Sequence, residues 1–148
     1  MDLAEDAILA VRSAIEEGYL PGGGLGLIRC SQDLANKSCS EGEMLLYNAL
    51  KKPLKQILAN NGMQSLTSLQ KGLKLITKGP FLNSVDSIVE RVEQGYFNFG
   101  YNAKTENFGN LISEGVIDAA KVVRCSVENA ASIAVMFLST EVLISEVE

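Results

Sequence analysis

Apolar residues recur at three- and four-residue intervals along most of this chain, and glycine or proline falls where each run stops. That rhythm restricts the fold more than any other feature, because a helical period laid down as a strand turns part of its apolar set to water. Leu3, Ala7, Ala10, Val11 and Ala14 make the first stripe and Glu16-Glu17-Gly18 stops it, so the first helix is expected over residues 2–17. Pro21-Gly22-Gly23-Gly24 breaks the chain, and Leu25, Ile28, Leu34 and Ala35 open a second helix at or just after the glycines. A polar loop over residues 36–42 leads to a third stripe, Tyr47, Leu50, Leu54, Ile57 and Leu58, closed by Asn60-Asn61-Gly62. Pro53 falls inside that stripe, and because the period continues through it the proline is expected to bend the helix rather than end it. Between Met63 and Gly95 two shorter helices are read, one on Leu66, Leu69, Leu73 and Ile76, the other on Val85, Ile88, Val89 and Val92, with Gly79-Pro80 between them.

The period changes once. From Gly95 to Gly109, Phe97, Phe99 and Tyr101 alternate with polar or small residues, which predicts a half-buried strand and a hairpin turning over residues 102–106. A last long helix is expected after Asp118, with Val123, Val127, Ala130, Ala131, Ala134 and Leu138 on one face. Residues 141–147 read as an edge strand with no partner in this chain. The expected class is therefore mainly α, with a small β-hairpin and a C-terminal edge strand.

Composition then removes function classes. With 18 acidic against 13 basic residues the chain carries a formal charge of -5, which gives it no electrostatic basis for binding nucleic acid or anionic lipid. No run of eighteen apolar residues and no charged-then-apolar leader is present, so neither a membrane segment nor an export signal is expected. Histidine is absent, which excludes imidazole acid–base chemistry, Ser-His and Cys-His pairs, and histidine metal sites. Cys30, Cys39 and Cys125 lack CxxC spacing, their odd number suits a reduced compartment, they read as small buried hydrophobes, and no metal site is expected.

Several residues can carry chemistry, each with a plain reading beside it. Gly22-Gly23-Gly24 before a helix lets backbone N–H groups approach a phosphate, but Leu27 breaks GxGxxG and no GK[ST] follows, so the triplet alone reads as a tight interhelical turn. Asp118 alone reads as the cap of the helix after it. Asp6, beside Glu5, alone reads as a solvated acid near a helix start. Asn36-Lys37-Ser38 matches a glycosylation acceptor by chance, given no export signal.

In order, however, these pieces form one pattern. Glu5-Asp6-Ala7, Glu16-Glu17-Gly18-Tyr19-Leu20-Pro21-Gly22-Gly23-Gly24, Gly100-Tyr101-Asn102-Ala103, Gly115-Val116-Ile117-Asp118, Lys121-Val122 and Asn129-Ala130-Ala131-Ser132 resemble the C-terminal third of the group I chaperonins, the GroEL type. The resemblance covers nearly the whole chain and fails mainly between Gly62 and Gly95, where an insertion is expected. It implies a helical equatorial-domain fold, with residues 1–20 as the hinge helix toward the intermediate domain and residues 21–148 as the C-terminal part of the equatorial domain. It also implies an ATP-dependent folding machine, in which Gly22, Gly23 and Gly24 line the phosphates, Asn102, Ala103 and Lys104 contact base and ribose, and Asp118 hydrogen-bonds ribose. Lys104 stands where relatives often carry a small residue, and Ala119 stands where proline commonly follows the aspartate. Asp6 is implied as the catalytic carboxylate that positions the hydrolytic water.

The cofactor so implied is ATP, with Mg2+ held mainly by residues outside this sequence. The implied partners are identical subunits in a ring, together with a co-chaperonin and unfolded clients reached through other domains, and neither nucleic acid nor membrane. Met1 falls within the first helix of the family pattern, which reads as a piece of a longer protein that does not hydrolyse ATP alone. An organelle matrix, mitochondrial or plastid, is expected slightly ahead of bacterial cytoplasm. The competing expectation is a stand-alone helical interaction module without ATPase activity.

Overall fold

A computed structural model describes residues 2–35, 40–63 and 84–142. Among these residues the elements run α1 (Asp2–Glu17), β1 (Tyr19–Pro21), α2 (Leu25–Ala35), α3 (Glu41–Leu50), α4 (Lys52–Asn60), α5 (Val85–Glu93), β2 (Phe99–Asn102), β3 (Asn107–Asn110), β4 (Ile117–Ala119) and α6 (Ala120–Ser139). The chain forms a mainly helical fold with two two-stranded sheets, β1 with β4 and β2 with β3. The helix expected on Leu66 to Ile76 and most of the edge strand expected at 141–147 lie outside the described residues.

The chain divides into two compact units, residues 20–118 and residues 1–19 with 119–148. The larger unit holds the core. Leu25 and Ile28 of α2, Leu54 and Leu58 of α4, and Val85, Ile88, Val89 and Val92 of α5 bury against Tyr101 and Leu111 in one apolar cluster. These are the stripe positions of their helices, so the spacing that makes each helix also closes the core. Capping fixes the helix ends. Ser40 accepts from the Glu43 N–H while Glu43 reaches back to the Ser40 N–H at 2.7 Å, a capping box that starts α3. Ser84 likewise caps α5 by accepting from Ser87 N at 3.3 Å.

Pro53 departs from expectation. The third stripe is two helices, broken at Lys51, and the proline stands in the first turn of α4 instead of bending a continuous helix. There its missing N–H is one that no helical carbonyl needs, so the ring costs no hydrogen bond.

The hairpin turns where the alternation places it, with β2 and β3 antiparallel in the register Phe99 to Asn110, Gly100 to Gly109, Tyr101 to Phe108 and Asn102 to Asn107. Phe108 stacks on Phe99 with centroids 5.7 Å apart and meets the edge of Tyr101 at 5.0 Å, so the aromatics share one face. Arg29, buried on α2, anchors the approach to this hairpin. Its guanidinium donates to the carbonyls of Phe97 at 3.1 Å, Tyr96 at 2.6 Å and Phe99 at 3.0 Å, and to Gln32 Oε1 at 2.7 Å.

In the smaller unit α1 and α6 meet end to end through charge. Lys121 pairs with Glu16, Arg124 donates to Glu17 at 2.6 Å, and Arg124 also pairs with Glu128 at 2.8 Å one turn on. Hydrogen bonds from Lys121 and from Arg124 hold the Glu16 and Glu17 carboxyls, respectively, below the usual carboxylate range. No described side chain of either helix is buried, and Leu3 and Leu138 are 88% and 87% exposed. By length and composition α6 is also apolar enough to cross a membrane, a test that a helix packed inside a soluble protein passes as well.

Candidate functional site

Three separate constraints build the glycine turn. Gly23 and Gly24 have φ of +65° and +78°, the left-handed region that side chains enter with difficulty. Gly22 is held by proximity. Its N–H donates to the Val116 carbonyl at 2.9 Å, and a Cβ there would lie 3.1 Å from Ile117 N. A Cβ on Gly24 would stand 3.0 Å from Leu54 N, so α4 presses against the turn from the other side. The Leu25 N–H closes onto the Gly22 carbonyl at 3.2 Å and carries the chain into α2. The N–H groups of Gly23 and Gly24 meet no acceptor among the described residues, leaving two backbone donors at a helix start.

Asp118 does not cap the last helix. The cap residue is Ala119, at φ -68° and ψ 125° and without a side-chain hydrogen bond. The strand β4 runs one residue past the aspartate, and the Gly18 carbonyl takes the Ala120 N–H at 3.0 Å. The Asp118 carboxylate is therefore unused by the helix and accepts no hydrogen bond among the described residues. Although the residue reaches solvent, desolvation on its packed side pushes its carboxyl above the ordinary aspartate value. Because Gly22 lies against Ile117, the aspartate is one residue from the strand position that touches the glycine turn.

At the end of β2 the Asn102 carboxamide is engaged on both sides. Its Oδ1 accepts from Lys104 N at 3.0 Å and Thr105 N at 3.4 Å, while Nδ2 donates to Glu114 Oε2 at 2.6 Å. Ala103 packs on the core edge, and its carbonyl accepts from Asn61 Nδ2 at 3.1 Å at the end of α4. Lys104 is exposed, so its backbone belongs to the turn and its side chain to solvent.

The segment between β3 and β4 joins these parts. Leu111 N donates to Asn98 O at 3.1 Å, Val116 N donates to Leu111 O at 2.8 Å, and the Leu111 side chain lies 3.9 Å from where a Gly23 Cβ would be. The larger unit thus links Gly22, Gly23 and Gly24 to Asp118 and to the Asn102-Ala103-Lys104 turn through one tightly bonded loop. Asp6 belongs to the other unit, exposed on the first turns of α1, with no hydrogen bond among the described residues. Sequence reasoning found no sign of β1, β4 or Glu114, read Asn61 only as part of a helix stop, passed over Arg29, and placed the cysteines in the interior, whereas Cys30 is exposed and Cys125 half-buried. Arg29 alone carried a signal, as a cation beside Ile28 in an apolar stripe.

The parts define a helical chain organised around a glycine turn with two free backbone donors, packed against a strand that carries an aspartate unused as a helix cap. Along its entire length, residues 1–148, it matches the TCP-1/cpn60 chaperonin family, and the chain belongs to that family. It is also similar to a solved structure described as a group III chaperonin in the open state, at 28% identity and a TM-score of 0.64. The similarity covers 89% of this chain and 25% of that one, so the sequence spans about a quarter of the solved chaperonin it matches.

Proposed function

We propose that this chain is the ATP-site portion of a chaperonin that assists protein folding by enclosing non-native chains in a ring, and that it belongs to the group I, GroEL-type branch. The carrying observation is the glycine turn itself, in a chain matched over its full length to the chaperonin family: its Gly23 and Gly24 N–H groups have no acceptor among the described residues, and Gly22 packs against Ile117 of the strand that carries Asp118. The succession of Glu5-Asp6-Ala7, the glycine triplet, Gly100-Tyr101-Asn102-Ala103 and Gly115-Val116-Ile117-Asp118 supports the group I assignment.

The residues present fit a nucleoside triphosphate. Gly22 and Gly24 let the turn pack closely on Ile117 and Leu54, which fixes its backbone, and Gly23 and Gly24 offer donors suited to phosphate oxygens at a positive helix end. Asp118 has both carboxylate oxygens available for ribose hydroxyls, and the family resemblance assigns the Asn102-Ala103-Lys104 turn to base and ribose. Among the described residues no group of three or more acidic, cysteine or histidine side chains gathers to hold a metal. When bound, MgATP supplies a phosphoryl group whose transfer to water drives the conformational cycle. Asp6 orients the attacking water and accepts its proton, a role that a carboxylate on an exposed helix face reaches by domain closure.

The reading is tested on the protein at its full native length by sedimentation and ATP turnover together. A large ring with ATP turnover, the ring kept and the turnover weakened in Asp118→Ala, is the expected result. A small species that neither binds nor hydrolyses ATP contradicts it.

A further inference from the structure

Asn102 has little freedom left. Its Oδ1 already accepts two backbone N–H groups, from Lys104 and Thr105, which fixes which end of the carboxamide is oxygen and which is nitrogen. Of the two hydrogens on Nδ2, one goes to Glu114 Oε2 at 2.6 Å. The side chain can therefore offer a ligand one N–H donor, and nothing else.

Glu114 is placed for this by two independent features. Its carboxylate lies over Gly109 of β3, with Oε1 the nearest atom to where a Cβ there would stand. Its backbone is also held, with Glu114 N donating to Asn110 O at 3.1 Å and Gly115 N to Ile112 O at 3.1 Å, within the loop whose Val116 carbonyl holds Gly22. One carboxylate thus joins the hairpin turn to the segment that supports the glycine turn and leads into Asp118.

We propose that Glu114 is a positioning residue of the nucleotide site: it holds the Asn102 carboxamide so that a single N–H donor faces the base, selecting a base that presents an acceptor there. The inference rests on the nucleotide-site reading above. It also explains why a charged group is used, since a hydrogen bond to a carboxylate is shorter and stronger than one to a neutral acceptor and resists rotation of the amide.

The test is equilibrium binding of ATP and of inorganic tripolyphosphate, which has no base, to the native-length protein and to Asn102→Ala, Glu114→Ala and Glu114→Gln. Glu114→Ala is expected to weaken ATP binding by about five-fold, in line with the loss of one hydrogen bond, and to leave tripolyphosphate binding unchanged. Glu114→Gln keeps an acceptor oxygen and is expected to restore most of the affinity. Glu114→Ala binding ATP like the parent, while Asn102→Ala binds it weakly, would overturn the positioning role and leave the site reading standing. Equal loss for ATP and tripolyphosphate in Glu114→Ala would also overturn it, by showing a general loss of structure. No effect of Asn102→Ala on ATP binding would instead remove the site reading and the inference with it.

Discussion

At the scale of single residues, the site is a matter of which atoms are already spoken for. Gly18 and Gly24 separate backbone strain from crowding, since both have positive φ, +83° and +78°, but only Gly24 has a neighbour, Leu54 N, where a Cβ would go. Gly18→Ala is expected to lower stability by about 1 kcal/mol and Gly24→Ala by about 2–3 kcal/mol, measured by urea denaturation. Equal losses would show that α4 does not press on the turn. Asp118 gives a pH signature. Its folded-state pKa is raised from 3.8 by desolvation, so the folded chain holds that proton more tightly than the unfolded one. Its ionisation accordingly opposes folding, and stability falls as pH rises from the ordinary aspartate value through the raised one. For a ribose contact the sign is opposite: the ionised carboxylate is the stronger acceptor of two hydroxyls, so ATP affinity is expected to drop on acidification while the pH is still above the ordinary aspartate value. In Asp118→Asn that acid limb disappears from the affinity–pH curve, and its persistence would assign it to another group.

Among the elements, Arg29 and Pro53 show what a helix contributes beyond its stripe. Arg29→Met keeps the aliphatic stem but leaves the carbonyls of Tyr96, Phe97 and Phe99 without their donor, with an expected loss of about 3 kcal/mol and early hydrogen exchange in β2. Pro53→Ala is expected to change stability by less than about 1 kcal/mol, because the proline sits at a helix start; a gain near 3 kcal/mol would show it interrupting a helix. The helices were legible because stripe residues such as Leu25, Ile28, Leu54 and Leu58 are the ones the core buries. The break at Lys51 was not, since Leu50, Leu54 and Leu58 keep helical spacing whether the chain bends or restarts. β1 and β4 have three residues each, too few for an alternation to register. The glycine triplet was visible as a turn, whereas the crowding by Ile117 and Leu54 that demands it comes from residues distant in sequence. Asp118 read as a cap because a strand extending to Ala119 leaves no local mark.

For the whole molecule, the contrast between the two units is the main physical fact. Residues 20–118 enclose an apolar cluster, while α1 and α6 leave Leu3, Ile15, Met136, Phe137 and Leu138 open to solvent. A helix pair without buried side chains does not recover the entropy of its own ordering, so its apolar faces are expected to pack on further polypeptide. Produced alone, the 148-residue chain is expected to self-associate and bind an apolar dye more strongly than the native-length protein, measured by light scattering and fluorescence. A monomer without dye binding would show that these faces need no cover. The proposed hydrolysis turns on Asp6, which the family resemblance alone singled out from an exposed helix face. The most direct measurement compares ATP binding and single-turnover hydrolysis in the native-length protein and its Asp6→Ala variant. Nearly unchanged binding is expected, with hydrolysis slowed by about a hundred-fold or more, as follows from loss of a group that orients and deprotonates water. Hydrolysis at the parental rate would contradict it.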